Sequence, residues 1–127
     1  MTPQIEKQAM KVIENVLLSI HNKDYKSILN HVDETEIENV DSLFHFIQGT
    51  LELNGYDSID EYGVPCDFHP KYEYSQINFY EYEDNSGFAV DYDLTSKSEP
   101  VDLCLQMKFS YTGDGGMKSI FMGIEPQ

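Results

Sequence analysis

The 127-residue chain contains neither arginine nor tryptophan, and its 8 basic residues are all lysines. Because arginine is the usual bidentate reader of phosphates and guanine edges, its absence argues against nucleic-acid binding. The two cysteines, Cys66 and Cys104, lack the spacing of a metal site and predict a reducing compartment. No apolar run approaches the roughly 20 residues of a membrane span, and residues 1–10 lack the pattern of a secretory signal. We therefore expect a cytoplasmic protein that binds neither nucleic acid nor membrane.

Acidic residues are abundant and unevenly placed. The chain carries 23 acidic residues and a net charge of −15. Residues 27–96 contain 16 of the acids and a single base, Lys71, whereas the two flanks together contain 7 acids and 7 lysines. A coat of charge that served only solubility would be more even, so this segregation favours a directed electrostatic field. A solubilising surface is the alternative interpretation.

The N-terminal half has the apolar spacing of helices. Thr2-Pro3 is typical of a helix start, and an apolar stripe predicts a helix that ends near His21-Asn22. Asp24 is positioned to cap a second, short helix, and Asn54-Gly55 to end a third. The acidic stretch 33–41 (DETEIENVD) between the second and third helices is expected to be a loop or a cap.

After a loop-like stretch over residues 56–74, the apolar period changes to two. Strands are predicted over residues 75–83, 88–95, 101–111 and 117–125, and short turns between them require antiparallel neighbours. Helices followed by strands indicate a single α+β domain over residues 1–127, with the helices on one face of a four-stranded antiparallel meander.

The stretch 80–93 (YEYEDNSGFAVDYD) places five carboxylates and three tyrosines on one hairpin. If Glu83 pairs with Phe88, tyrosines and aspartates share the face turned away from the core. Tyrosine supplies rigid contact area and aspartate supplies steering charge, which suits a surface that meets a basic protein. We predict partner-binding residues in this hairpin (Tyr80, Tyr82, Glu83, Asp84, Asp91, Asp93) and in the preceding loop (Asp57, Asp60, Glu61).

No motif for catalysis, a metal or a cofactor is found. The four histidines (His21, His31, His45, His69) have no zinc spacing, and the acids of residues 33–38 lack the pattern of a calcium-binding EF-hand loop. The GDGG run over residues 113–116 is followed by neither a helix nor a lysine-serine pair, so a hairpin turn explains it better than a phosphate loop. We expect no catalytic residue, no metal and no cofactor.

The order of elements resembles the nuclear-transport-factor-like, or cystatin-like cone, domains. The stretch 20–33 (IHNKDYKSILNHVD) is similar to their helix–short-helix passage, and the stretch 91–109 (DYDLTSKSEPVDLCLQMKF) to their long hairpin. The resemblance implies a helical layer packed on a curved antiparallel sheet, and no catalytic residue of the enzymatic members is carried over. In size and charge, the chain is also similar to small acidic bacterial immunity proteins of toxin systems, including contact-dependent inhibition.

Three functional hypotheses follow. The first is a non-enzymatic binding protein that neutralises a basic partner, most specifically an immunity protein that occludes a nuclease-type toxin domain. The second is a cone-type enzyme or small-ligand binder with a pocket between the helices and the sheet. The third is a regulatory subunit that forms a homodimer through the open face of its sheet.

Overall fold

The computed structural model describes residues 1–39, 42–60 and 76–126. Along the chain lie helix α1 (Pro3–His21), a 3₁₀ helix (Tyr25–Asn30), strand β1 (Glu34–Thr35) and helix α2 (Leu43–Leu53). Four longer strands follow: β2 (Ile77–Glu81), β3 (Gly87–Ser96), β4 (Glu99–Tyr111) and β5 (Met117–Pro126). The α+β class is confirmed. None of the helices in the described ranges has both the length and the apolar character needed to cross a membrane.

Helix α1 begins and ends where its sequence predicts. The Thr2 hydroxyl accepts a hydrogen bond from the backbone N–H of Ile5 at 3.2 Å, and Pro3 occupies the first turn, where it sacrifices no helical hydrogen bond. The buried stripe of α1 joins one cluster with side chains of α2 and of strands β3 to β5. This cluster is the core between the helices and one face of the sheet.

Within the described ranges the sheet has five strands in the order β1-β5-β4-β3-β2, so the predicted count of four is corrected. The additional strand, β1, has two residues and runs parallel to β5. The backbone N–H groups of Asp33 and Glu36 donate to the carbonyl oxygens of Ser119 and Phe121, each at 3.0 Å. Two residues are too few to show a period of two, so the strand could not be recognised in the acidic run 33–41.

The β2–β3 hairpin pairs in a register that differs from the predicted one. Glu81, and not Glu83, lies opposite Phe88, and the Tyr82 N–H donates to the Gly87 carbonyl oxygen at 3.0 Å. The prediction was wrong by two residues, which moves the turn but leaves every side chain on its predicted face. Accordingly, Phe88, Val90 and Tyr92 are buried on the core side.

Candidate functional site

The face of the sheet opposite the helices is the candidate site, and we call it the open face. Paired positions on neighbouring strands project to the same side, so the registers define rows across this face. One row contains Asn78, Asp91 and Gln106 on β2, β3 and β4, and the next row toward the β2–β3 turn contains Tyr80, Ala89 and Lys108. A third row, on the other side of Asp91, pairs Asp93 with Cys104 and Cys104 with Glu125.

Three of the predicted residues therefore meet on the open face: Tyr80, Asp91 and Asp93. The Tyr80 side chain is 51% exposed, which is unusual for a large aromatic residue in a strand. Its pKa is raised by partial burial and by the negative charges of Asp91 and Asp93. The Tyr80 phenol and the two carboxylates thus lie close enough to interact electrostatically.

The other predicted residues of the hairpin surround its turn. Tyr82, Glu83 and Asp84 line a shallow depression of about 750 Å³ that also includes Lys108 and Ser110 of β4. The Asp84 carboxylate accepts hydrogen bonds from the Ser86 hydroxyl at 2.6 Å and the Ser86 N–H at 3.0 Å, and these bonds lower its pKa. Asp84 consequently stabilises the turn while it remains exposed, and the depression joins the turn to the open face.

In the described part of the chain, the lysines of the open face pair with acids on its β1 side. Lys108 Nζ lies 3.7 Å from a carboxylate oxygen of Glu36, and Lys118 Nζ lies 2.8 Å from one of Glu34. Both pairs lie where the segment around β1 borders β5 and β4. These ion pairs direct both ammonium groups toward acids of the segment around β1, although the Lys108 side chain also lines the depression at the hairpin turn.

Asp91 stands out among the acids of the open face. It is half-buried, and its carboxylate makes no hydrogen bond or ion pair with any residue in the described ranges. Partial burial raises its pKa, and among the described residues no cation offsets this effect. Its neighbours in the row, Asn78 and Gln106, are neutral amides. A carboxylate that is partly removed from water and has no partner in the described part of the chain is unfavourable for the fold, which makes Asp91 the candidate for an external interaction.

Cys104 lies beside Asp93 on the open face but is only 6% exposed. Burial, together with the charges of Asp91 and Asp93, raises the pKa of its thiol to about 11. A thiol that stays protonated at neutral pH is a poor nucleophile, so Cys104 is a packing residue of this face. The other cysteine, Cys66, lies outside the described residues.

The second predicted group, in the loop after α2, is divided by the structure. Asp57 is exposed, and its carboxylate lies 3.1 Å from Lys23 Nζ. Asp60 faces the β3–β4 turn, where its carboxylate accepts hydrogen bonds from the Thr95 hydroxyl and from the N–H groups of Lys97 and Ser98. These three hydrogen bonds assign Asp60 to the support of the β3–β4 turn. Glu61 lies outside the described residues.

The three histidines in the described ranges do not converge on a site. His21 donates from Nδ1 to the carbonyl oxygen of Ile59 at 2.8 Å, and the His45 ring packs edge-on against Phe44. His31 is exposed, and His69 lies outside the described residues. Within the three described ranges, no group of three or more histidine, cysteine, aspartate or glutamate side chains is placed to hold a metal ion.

A cavity of about 410 Å³ lies at the edge of the core, between α1, the segment that precedes β1, and β5. His31 and Asp33 line it, together with Gln8, Phe109 and Met117. The Asp33 carboxylate is already bound by the Ser119 N–H at 2.8 Å and the Ser119 hydroxyl at 3.2 Å. A smaller cavity of about 220 Å³ lies between α1 and the β4–β5 turn, and the buried cluster packs the core between the helices and the sheet.

Asp91 is among the binding residues predicted from the sequence, but its lack of a partner among the described residues was not predicted. Whether an acid has a partner depends on residues from other strands, and no local pattern reveals this. The ion pairs of Glu34 and Glu36 were missed for the same reason. The one signal that could have helped is the alternation of β4, which places Cys104, Gln106 and Lys108 on one face.

The comparisons with known proteins give one result. A family model described as "Domain of unknown function (DUF7668)" matches residues 17–126, from the last turns of α1 to the end of β5. No curated protein and no solved structure matches the chain. The matched segment covers most of the chain. It includes strands β1 to β5 and therefore the whole open face. The chain therefore belongs to the DUF7668 family.

Proposed function

We propose that this chain is a binding protein that neutralises a basic protein partner, which docks on the hairpin side of the open face. The observation that carries the proposal is Asp91, a half-buried carboxylate without a partner among the described residues. A cationic side chain from another protein would supply the missing interaction. Because Asp91 is already half-buried in the free chain, it loses less hydration on binding than an exposed carboxylate would. A larger share of its attraction to a cation therefore contributes to the binding free energy.

The distribution of charge supports the same surface. The ammonium groups of Lys108 and Lys118 pair with Glu36 and Glu34 on the β1 side, whereas Asp91 and Asp93 place negative charge beside Tyr80 at the centre of the face. A field of this kind attracts a basic partner over a distance of about a Debye length and increases the association rate. The exposed ring of Tyr80 adds contact area of a type that is enriched at protein interfaces.

The most specific form of the proposal is an immunity protein against a nuclease-type toxin domain. Nucleases hold phosphates with lysine and arginine side chains, so an acidic surface can cover such a site or bind beside it. Inhibition would then occur by occlusion, and this chain would perform no chemistry. The setting would be the bacterial cytoplasm, and the cone-type arrangement of helices and sheet remains a prediction of the resemblance.

The first test is co-expression with the protein encoded next to this chain, followed by purification at about 0.05 M and about 0.5 M salt, which bracket weak and strong screening. We expect a stoichiometric complex in which the partner has lost its activity. The absence of a complex at both salt concentrations would refute the proposal. Light scattering on the free chain tests the homodimer hypothesis, which requires a stable dimer without a second protein.

Matched charge reversals locate the surface. Asp91→Lys with Asp93→Lys should lower the association rate at low salt by about tenfold or more. Glu14→Lys with Glu52→Lys changes the net charge equally, at exposed positions of α1 and α2 in the helical layer, and should change the rate by less than about twofold at the same salt. Equal effects of the two pairs would show that only the total charge matters and would exclude the open face.

A second candidate function rests on the cavity beside His31. Its volume of about 410 Å³ falls in the range of small-molecule sites, and its lining combines apolar and polar side chains. A small-ligand binder would show thermal stabilisation in a fragment screen, with amide shifts confined to residues around Gln8 and Met117. Loss of these shifts in a Gln8→Leu, His31→Leu variant would assign the ligand to the cavity, and unchanged shifts would exclude it.

A further inference from the structure

At the centre of the open face, Asp91 and Tyr80 occupy neighbouring rows of the sheet. Asp91 is flanked within its row by the amides of Asn78 and Gln106, and Tyr80 lies in the adjacent row opposite Ala89. Rows on one face of a sheet are separated by about 7 Å along the strands. The methyl group of Ala89 is small, so the side of the Tyr80 ring that faces β3 meets no bulky neighbour at its paired position.

The lysine nearest to this centre in the registers does not occupy it. Lys108 is in the same row as Tyr80, two residues along β4 from Gln106, the residue paired with Asp91. Instead, its Nζ lies 3.7 Å from a carboxylate oxygen of Glu36, on the side of β4 that faces away from β3. The exposed Tyr80 ring thus lies adjacent to a carboxylate that no cation in the described ranges compensates.

We propose that Asp91 and Tyr80 form a subsite for an arginine side chain of the basic partner. The guanidinium would donate N–H groups to the Asp91 carboxylate while its plane stacks on the Tyr80 ring, within the negative field that Asp93 strengthens. This inference rests on the proposed function and adds the chemistry of the recognised group.

Arginine fits this subsite better than lysine for two reasons. The guanidinium is planar, so it can bind a carboxylate through two N–H groups and stack on an aromatic face at the same time. It is also less strongly hydrated than an ammonium group, so it loses less on entering a half-buried site. Lysine would gain the attraction to Asp91 but would use the ring less well.

The test uses the ¹⁵N-labelled full chain and three short peptides, acetyl-Gly-X-Gly-amide, in which X is arginine, lysine or citrulline. Citrulline has nearly the shape of arginine without its charge. We expect saturable amide shifts at Tyr80, Asp91 and their row neighbours, with the arginine peptide binding at least about threefold more tightly than the lysine peptide. The citrulline peptide should give no saturable shift.

Variants separate the two parts of the subsite. Asp91→Asn should abolish the saturable shifts, whereas Glu14→Gln, which removes one charge elsewhere, should leave them unchanged. Tyr80→Leu should remove the preference for arginine over lysine, and Tyr80→Phe, which keeps the ring, should preserve it. The dispersion of the amide spectrum reports whether each variant is folded.

Several results would overturn the inference: equal binding of arginine and lysine peptides, shifts spread evenly over the acidic surface, or unchanged binding to Asp91→Asn. Because the peptides replace the partner, these results leave the docking function itself intact. Conversely, a co-purified complex that is insensitive to charge reversal at Asp91 and Asp93 would refute the docking site, even if the arginine peptide binds there.

Discussion

Replacing Asp60 by alanine distinguishes an acid that supports the fold from an acid that is free to bind a partner. Asp60 belongs to the predicted partner-binding residues, yet its carboxylate accepts hydrogen bonds from the Thr95 hydroxyl at 2.9 Å, the Lys97 N–H at 3.0 Å and the Ser98 N–H at 2.8 Å. Lys97 and Ser98 both have positive φ, at 53° and 65°, so Asp60 stabilises a turn whose backbone is costly for residues other than glycine.

The size of the effect follows from these three bonds. A hydrogen bond to a charged group contributes more than a neutral one, but part of this carboxylate faces water, so we assign about 1 kcal/mol to each bond. Thr95 is only 3% exposed, so its hydroxyl would lose its partner in a buried position. Asp60→Ala should therefore lower the free energy of unfolding by about 3 kcal/mol, as measured by urea denaturation and far-UV circular dichroism.

Asp57→Ala is the matched control, three residues earlier in the same loop. The Asp57 side chain is 87% exposed, and its ion pair with Lys23 joins two solvated groups, so its removal should cost no more than about 0.5 kcal/mol. A cost for Asp60→Ala below that value, or equal to the cost for Asp57→Ala, would refute the assignment of Asp60 to the fold.

The pH dependence gives a second check on Asp60. Burial alone would raise the pKa of Asp60, but the hydrogen bonds from Ser98, Thr95 and Lys97, aided by His21, outweigh burial and hold the pKa below 3.8. A lowered pKa in the folded state means that ionised Asp60 stabilises the fold above the pKa of the unfolded chain. This contribution is lost as the pH falls through the folded pKa. The difference between the wild type and Asp60→Ala should stay constant around pH 7 and shrink below about pH 4.

Three further predictions concern the sheet. A Cβ on Gly87 would lie 2.0 Å from the Phe109 carbonyl oxygen, so Gly87→Ala must displace backbone and should cost at least about 2 kcal/mol in urea unfolding; a cost below about 0.5 kcal/mol would contradict the close approach. In a Cys66→Ser background, a thiol pKa of about 11 predicts that Cys104 reacts with a disulfide reagent at pH 8 about 100-fold more slowly than in urea, and equal rates would contradict its burial. Because burial raises the pKa of Asp91, its ionised form destabilises the fold above that pKa. Asp91→Asn should therefore raise the free energy of unfolding at pH 7 by up to about 0.5 kcal/mol, and this gain should disappear near pH 3. A lower free energy of unfolding at pH 7 would contradict this and reveal a stabilising partner of Asp91.

The parts of the fold that could be predicted are those that depend on neighbouring residues. The N-terminal cap at Thr2 and the end of α2 at Asn54-Gly55 follow from local backbone chemistry, and both are confirmed. Alternation with a period of two assigned β3 and β4 to the sheet and identified their buried faces. β1 could not be predicted, because it exists only through hydrogen bonds to residues about 86 positions later in the chain.

The candidate site was predictable as a surface but not as a set of interactions. The outward positions of Tyr80, Asp91 and Asp93 survived an error of two residues in the register, because a shift by an even number keeps each side chain on its face. The roles of individual acids did not follow from their positions. Asp57 and Asp60 lie three residues apart in one loop, yet one pairs with an exposed lysine and the other holds a turn 35 to 38 residues away.

The sequence alone determined the helical layer, the strand-rich second half, the side of the sheet that each residue faces and the concentration of negative charge in the middle of the chain. These properties arise from periodicity, caps and composition, which are local. Only the tertiary structure decided which carboxylates have partners. Glu34 and Glu36 pair with lysines of β5 and β4, and Asp60 accepts hydrogen bonds from the β3–β4 turn. Asp91 has no partner among the described residues. Compensation of a charge depends on what lies within a few ångströms of it, and in a sheet those neighbours come from strands that are distant in sequence.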